Sequence, residues 1–200
     1  MSREIGLSRL TVFELTDATT DKPVYDAAMP VEWVVNIDVS KTVASYAVYA
    51  DNVAEISSSK TTGAELTIEV SSHMPPSLEA YLTGATYDKG VMIQGADETK
   101  KQFGIAYETV MDTGKLRRYF YTNCTISKNE QSNTTISDSI DAKTYSLTVN
   151  AIPLPISKEL FMVMDELDME DAMAQNPAEA TAIEQVWDDW FTIPPLMQKP

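Results

Sequence analysis

Two residues that could serve a nucleophilic mechanism occur once each: His73 and Cys124. Acyl transfer by a serine or cysteine needs a general base that a third group orients, so a single imidazole leaves few arrangements. His73 stands where a predicted strand gives way to a helix, and Cys124 alternates with aromatic residues in another predicted strand. Both are interpreted as structural residues, Cys124 as a small core side chain. We predict no catalytic residue and no enzyme activity.

Carboxylates are numerous, with Asp and Glu at 30 of the 200 positions. Two of them could form a glycosidase pair, but no spacing singles out two residues. The acidic run Asp165–Asp171 lacks the glycine and the ligand register of a calcium loop, which favours a solvated acidic face. No glycine-rich phosphate loop is present. We predict no metal and no cofactor, and keep a glycan-binding or hydrolytic β-sandwich as the alternative from another functional class.

The charge balance is strongly acidic. Lysine and arginine number 15, so the formal net charge is 15 − 30 = −15. This argues against a surface that holds DNA, RNA or anionic lipid, because such partners require clustered cations. The main basic cluster is Lys115, Arg117 and Arg118. It is either a counter-charge for acidic residues of an identical neighbouring subunit or the wet face of an ordinary strand.

Alternation of apolar and polar residues predicts a mainly β protein. Residues 31–39, 65–70 and 145–151 place apolar side chains at every second position, which is the period of a strand with one buried and one wet face. Four further segments are rich in β-branched and aromatic residues: Arg9–Leu15, Ser45–Ala50, Gln102–Val110 and Leu116–Ile126. Asp112–Lys115 is a predicted hairpin turn. We expect an antiparallel β-sandwich or barrel.

One short helix is predicted to flank this β-sandwich, at about residues 75–83. Proline opens it and Gly84 follows it; proline suits a first helical turn, and glycine suits the position after a helix. Two polar stretches, about 42–62 and 127–142, are predicted long loops. Long loops are either solvated connections or functional segments.

The composition changes near Pro155. Residues 157–200 contain ten acidic residues and two lysines, so 2 − 10 = −8 of the net charge lies here. We divide the chain into a β-domain, 1–156, and an acidic C-terminal arm, 157–200. An amphipathic helix is predicted at about 177–191, with Asn176 as its N-cap. Three aromatic residues at its end pack either on their own domain or on a neighbouring copy: Trp187, Trp190 and Phe191.

Several motifs follow one another in a recognisable order. An alternating strand, Gly63–Val70, precedes the Pro-led helix within Met74–Gly84 and a Tyr-Asp turn in Tyr87–Val91. Other pieces agree with this order: Tyr49–Asn52, and Gly104–Tyr107 with Arg118–Tyr121. Over about residues 5–155 the chain resembles the major tail proteins, or tail-tube proteins, of long flexible-tailed phages (siphophages) of Gram-positive hosts.

The resemblance implies a β-sandwich or barrel that assembles into hexameric rings, which stack into the hollow tail tube through which phage DNA is ejected. It implies a structural virion protein of the tail, assembled in the host cytoplasm. Its expected partners are copies of itself, the tape-measure protein and tail completion or tip proteins; DNA passes without specific binding, and no membrane is involved. The 42–62 stretch is expected to join rings through Tyr49, Asp51, Asn52 and Val53. The alternative is the tube of a contractile tail or of a domesticated phage-like particle.

Overall fold

The computed structural model describes residues 3–20, 22–50, 53–71, 74–96, 100–130 and 144–198, with side chains described outside 46–50, 53–58 and 128–130. Within these ranges the chain forms ten strands, three α-helices and one short 3-10 helix. The strands are β1 (Glu4–Asp17), β2 (Val24–Val31), β3 (Val34–Ala50), β4 (Val53–Val70), β5 (Thr86–Asp88), β6 (Val91–Ile93), β7 (Phe103–Met111), β8 (Leu116–Glu130), β9 (Tyr145–Ile152) and β10 (Phe161–Asp165). The helices are α1 (Pro76–Thr83), α2 (Glu166–Gln175), α3 (Ala180–Asp188) and the 3-10 helix Pro195–Met197.

One sheet contains eight of the described strands. Its order is β2-β1-β7-β8-β9-β4-β3, with β10 added to β8, while β5 and β6 form a separate small hairpin. Every described pairing is antiparallel. β8 pairs with β7 along one edge, and its other edge is long enough for two strands: residues 117–121 pair with β10 and residues 123–130 pair with β9. The predicted mainly β, antiparallel fold is confirmed.

The main hydrophobic core lies between the two halves of this sheet. Leu10 and Tyr121, from the half that contains β1 and β8, share one cluster with Leu66 and Leu147 from β4 and β9. On β4 and β9 the polar residues alternate with these core residues and remain wholly or partly accessible. The predicted pattern of one buried and one wet face therefore holds for β4 and β9.

The half that contains β1, β7 and β8 is buried on both faces over most of its length, so the pattern of one buried and one wet face does not extend to these strands. Successive side chains of a strand point to opposite faces. Val12 lies in the main core, whereas Phe13 lies in a second core with Phe120, their rings 6.0 Å apart. Trp190, from the C-terminal segment (residues 157–198), lies in this second core. Burial on two faces follows because a distant part of the chain covers the second face.

The stretch 42–62, predicted as a long loop, is instead the outer part of a β-hairpin. β3 and β4 pair from Val34 opposite Val70 to Ala50 opposite Val53. The described side chains of this outer part are exposed on both faces. The strand predicted at Ser45–Ala50 from its β-branched and aromatic residues lies within β3. The rest of the stretch was not predicted as strand, because a strand with water on both faces shows no hydrophobic alternation.

The single strand predicted over 31–39 is interrupted in the structure. β2 ends at Val31, Trp33 has a positive φ of 64°, and β3 begins at Val34. At this break Trp33 is 69% exposed, whereas Val31 is buried. Ile37, predicted on the same face, still packs against the main core and pairs with Ile68. Val35 and Val39, predicted on that same face, are exposed as well.

The helix predicted at 75–83 is α1. Its C-terminal Gly84 has φ of 83° and donates its backbone N–H to the carbonyl of Ala80 at 2.9 Å. The predicted turn at 112–115 is also present, with Gly114 at φ of 80°. At both positions the left-handed backbone favours glycine.

The C-terminal segment contains two helices where one was predicted. α3 lies inside the predicted range 177–191, but residues 177–179 form a turn, and Asn176 ends α2 instead of starting α3. α2 begins after Asp165, whose carboxylate accepts the backbone N–H of Leu167 at 3.1 Å. An acidic N-cap followed by acidic residues in the first turn stabilises a helix start.

Candidate functional site

Arg118 and Trp187, which the sequence analysis assigned to separate features, contact each other. The Arg118 guanidinium lies 3.9 Å from the centroid of the Trp187 ring and donates to the Trp187 backbone carbonyl. Its Nε also donates to Glu108 at 2.8 Å, and the two side chains are only 9% and 6% exposed. Ser8 donates to the other Glu108 oxygen at 2.7 Å. Arg118 therefore joins α3 to the sheet through a buried ion pair.

Lys115 and Arg117 hold the start of α2. Lys115 contacts Glu166 and Glu170 at 3.0 and 2.6 Å, and Arg117 contacts Asp165 at 2.7 Å and Glu4 at 3.2 Å. Side-chain hydrogen bonds with Glu170 and Glu166 raise the pKa of Lys115. Partial burial acts to raise the pKa of Glu166, but hydrogen bonds from the Leu116 backbone and from Lys115 outweigh it and lower that pKa. The basic cluster thus has carboxylate partners within its own chain.

Trp190 and Phe191 also pack on their own chain. Trp190 is 1% exposed and donates its ring N–H to the backbone carbonyl of Tyr119 at 3.3 Å. Phe191 is buried beneath Arg9, whose guanidinium lies 4.6 Å from the ring centroid. The aromatic residues of the arm therefore pack on their own chain in this structure, and not on a neighbouring copy. Surfaces that are open to a partner lie elsewhere.

The clearest open surface is the outer part of the β3–β4 hairpin, residues 43–62, called here the ribbon. Among the described residues, β4 pairs with β9 from Ala64 to Val70, and β3 pairs with no strand besides β4. The eight residues 43–50 of β3, at about 3.3 Å each, carry the ribbon roughly 25 Å beyond the sheet. An isolated two-stranded ribbon is marginally stable in water, and its unpaired edges can pair with another chain.

Two of the four predicted inter-ring contacts, Tyr49 and Val53, lie at the tip of the ribbon. The structure pairs Tyr49 with Ala54 and Ala50 with Val53 in the backbone ladder. Asp51 and Asn52 lie outside the described residues, as does His73. The hairpin therefore carries Tyr49 and Val53 to its far end, away from both cores.

A polar face covers the outer side of β3, β4 and β9. Its described side chains face one another across the strand pairs and include three carboxylates and no lysine or arginine: Asn36, Asp38, Ser40, Glu65, Thr67, Glu69, Ser146, Thr148 and Asn150. We call these nine residues the acidic face. The three carboxylates give this face a negative potential, which repels phosphate.

A groove separates β1 from β3, along edges that no other described strand pairs with. In the described part of the chain, residues 4–9 of β1 pair with β7 and residues 34–43 of β3 pair with β4. The groove has a volume of ≈ 640 Å³. Apolar side chains lie exposed on its walls, with Ile5 69% and Val35 53% exposed. Ile5 was not predicted as a candidate contact, although an exposed apolar patch of this kind marks an interaction surface.

The aromatic floor of this groove is a stack of rings. Tyr107 lies 4.7 Å from Tyr119 and 6.3 Å from Tyr121, and Tyr121 lies 5.7 Å from Phe161. Burial raises the pKa of Tyr119 to about 12, and its hydroxyl donates to Glu4. These tyrosines stay protonated at neutral pH and act as hydrogen-bond donors and packing surfaces.

The Cys124 thiol, the metal-binding residue types and the helices show no further site in the described part of the chain. Burial raises the pKa of the Cys124 thiol, which keeps it protonated and unreactive. Among the described residues, no group of three or more His, Cys, Asp or Glu side chains is arranged to hold a metal ion. In the same ranges, no helix combines the length and hydropathy that crossing a membrane requires.

Comparison with known proteins gives similarity at the level of structure only. No family model matches the chain, and no curated protein matches it. Three similar chains come from cryo-EM structures. A chain of the anti-feeding prophage baseplate is 11% identical, covers 82% of this chain and 97% of itself, and has a TM-score of 0.40.

The other two chains belong to the PVC extracellular contractile injection system in its extended state. A chain of its sheath–tube complex is 14% identical with a TM-score of 0.44, covering 80% of this chain and 91% of itself. A chain of its sheath/tube terminator is 12% identical with a TM-score of 0.40, covering 81% and 97%. Likeness at this level does not transfer a function from those assemblies to this chain.

Proposed function

We propose that this protein is a structural subunit of a phage tail that assembles with copies of itself into stacked rings, forming the tail tube. The observation that carries the proposal is the ribbon, which extends from the sheet without support from the rest of the described chain. The resemblance of residues 5–155 to major tail proteins supports the same role. Six subunits per ring is the number that this resemblance implies, as are the tape-measure and tail completion or tip proteins as partners.

The ribbon favours assembly for a physical reason. Among residues 43–62 only Asp51, Glu55 and Lys60 are charged, and Val, Ile, Thr, Tyr and Ser fill most other positions. Proteins protect an exposed strand edge with charge, proline or a covering element, and the ribbon contains no proline. Retaining a long unprotected ribbon is consistent with a partner that pairs with it. A second copy of the chain supplies that partner at every step of a stack.

The acidic face fits the lumen of a DNA conduit. A channel that lets DNA pass without holding it requires few cations, because lysine and arginine side chains bind phosphate by counterion release. Asp38, Glu65 and Glu69 provide negative charge on this face, and Ser and Thr side chains separate them. We therefore place the acidic face toward the lumen and the C-terminal segment, which covers the opposite half of the fold, toward the outside.

The net charge makes assembly dependent on salt. Copies that carry −15 each repel one another, and the Debye length falls from about 10 Å at 0.1 M to about 3 Å at 1 M salt. Higher ionic strength is therefore expected to promote assembly. A flexible, non-contractile tail is proposed on the resemblance, and a neighbouring sheath gene would instead assign the protein to the contractile alternative.

The test is a variant with a shortened ribbon. Ser45 and Ser59 lie opposite each other, so replacing residues 46–58 by Asn-Gly closes the hairpin with a favoured two-residue turn. Sedimentation velocity is compared for the wild-type and shortened chains as salt is raised. The proposal predicts large assemblies for the wild type alone. Far-UV circular dichroism serves as the folding control, because both cores lie outside the ribbon.

Two results would contradict the proposal. One is a wild-type chain that stays monomeric at every salt concentration. The other is a shortened chain that assembles as well as the wild type, since the ribbon would then be dispensable.

A further inference from the structure

A pocket at the base of the ribbon combines an apolar floor with a cationic rim. Leu154, Leu160 and Phe161 form the floor, and Lys60 and Lys158 stand at the rim. The volume is ≈ 500 Å³. We call these five residues the lysine pocket. Its size suits one or two side chains, and its two ammonium groups favour an anionic occupant.

The lysines of this pocket have no carboxylate partner among the described residues. No acidic residue lines the pocket, and Lys158 donates to the backbone carbonyl of Pro155. Lys41 adds a third ammonium group nearby, 4.4 Å from the centroid of the Phe161 ring. By contrast, Lys115 and Arg117 each contact two carboxylates. In a chain of net charge −15, cations without such partners mark a surface that attracts another acidic surface.

The complementary surface is the exposed side of α2. Leu167 is 42% exposed there, and Asp168 and Asp171 are exposed beside it. Residues three and four positions apart lie on the same side of a helix, which groups Leu167 and Asp168 with Asp171. In the described structure neither aspartate forms an ion pair, whereas Glu166 and Glu170 of the same helix contact Lys115. One apolar side chain flanked by two carboxylates matches an apolar floor flanked by two ammonium groups.

The lysine pocket and α2 lie at opposite ends of β10. Phe161 is the first residue of this strand, and α2 starts directly after its last residue, Asp165. Arg117 and Lys115 hold the start of α2 at that end. A chain therefore cannot place its own α2 in its own lysine pocket without breaking these contacts, and a second copy has to supply it.

We infer that the lysine pocket of one subunit binds the Leu167–Asp171 side of α2 from a neighbouring subunit, with Leu167 on the floor and Asp168 and Asp171 facing Lys60 and Lys158. The inference rests on the proposed self-assembly and names the two surfaces that meet. Because the surfaces differ, the contact is head-to-tail and can propagate from copy to copy. The lysine pocket adjoins the ribbon, so the same neighbour could engage both.

Charge reversal tests this contact. Lys60→Glu with Lys158→Glu, and separately Asp168→Lys with Asp171→Lys, each place like charges opposite each other. Either pair should raise the concentration needed for assembly by about tenfold or more, because like-charge juxtaposition across an interface is strongly unfavourable. An equimolar mixture of the two variants should assemble at a lower concentration than either alone, because both contacts between unlike variants have opposite charges. In one contact the reversed pocket meets the reversed α2, and in the other the unchanged pocket meets the unchanged α2.

A matched control separates the contact from net charge. Lys89→Glu with Lys100→Glu changes the net charge by the same four units on exposed positions outside the lysine pocket. This control should assemble close to the wild type. If the lysine-pocket variant assembles like the control, or if mixing restores nothing, the inference is wrong while the tail-tube proposal stands. If the wild type itself never assembles, the proposed function fails first.

Discussion

Replacing Arg118 by alanine tests whether one buried ion pair fixes the C-terminal segment to the sheet. Arg118 and Glu108 contact each other at 2.8 Å and are almost inaccessible to water. Removing the cation leaves the Glu108 carboxylate buried with only the Ser8 hydroxyl as a described side-chain partner. Breaking a buried pair in this way costs about 3–5 kcal/mol. Loss of the stacking contact with Trp187 adds to that cost.

The free energy of unfolding is measured by urea titration at protein concentrations where sedimentation shows monomers. Fluorescence of Trp187 and Trp190, both buried, follows detachment of the C-terminal segment, and far-UV circular dichroism follows the sheet. Arg3→Ala is the matched control, because Arg3 is exposed. A substitution at such a surface position should change the free energy of unfolding by less than about 0.5 kcal/mol.

A second variant distinguishes removal of one charge, which leaves the other buried without its partner, from removal of both charges. Arg118→Met combined with Glu108→Leu removes both charges, and apolar replacement of a whole buried pair is often close to neutral. The double variant should therefore be more stable than Arg118→Ala alone. A cost below about 1 kcal/mol for Arg118→Ala, the size typical of a surface ion pair, would refute the role assigned to this contact.

Three further predictions concern stability. Trp190→Ala should cost about 3–5 kcal/mol by emptying the second core, whereas Trp33→Ala, at an exposed position, should leave the urea midpoint nearly unchanged. Gly104→Ala should cost about 1–3 kcal/mol, because a Cβ there would lie 2.7 Å from the buried Phe120 ring; Gly6→Ala, where nothing lies within 4 Å, is its control in the same titration. Glu166→Gln should destabilise the chain near neutral pH. Because the folded pKa of Glu166 is lowered, its contribution is complete above the ordinary value of 4.5 and disappears as pH falls through the folded pKa, so the difference between the two chains should shrink as pH falls below 4.5.

The strands of the main core could be predicted because their environment is local in the sequence. Leu66 and Leu147 alternate with polar residues that face water, and period-two alternation reports that arrangement directly. The short helix before Gly84 was predictable for the same reason, since proline and glycine mark its ends. These signals depend on backbone geometry and on one buried face.

The contacts of the C-terminal segment could not be predicted, because they join residues far apart in sequence. Arg118 and Trp187 are 69 positions apart, and nothing in either segment indicates the other. The second helix had a local signal that the sequence analysis set aside: Asp165, followed by acidic residues in the first turn, is a favourable helix start. The acidic run Asp165–Asp171 was interpreted only as a solvated face, and not as the start of a helix.

The sequence predicted where one candidate interaction surface lies along the chain, but not the structure that this surface adopts. Residues 42–62 were singled out for ring contacts, but their strand structure gives no periodic signal when water covers both faces. The lysine pocket escaped notice because Lys60 and Lys158 are brought together only by the fold. A pattern along the chain does not report such a juxtaposition.

The central claim is that this chain polymerises with identical copies into a hollow tube. Cryo-electron microscopy of the purified full-length chain, across a salt series, tests it most directly. The account predicts six-fold rings that stack into tubes with an open lumen, lined by the acidic face formed by β3, β4 and β9, and with ribbons crossing between rings. Isolated monomers in every condition, or rings whose lumen is lined by the C-terminal segment, would contradict it.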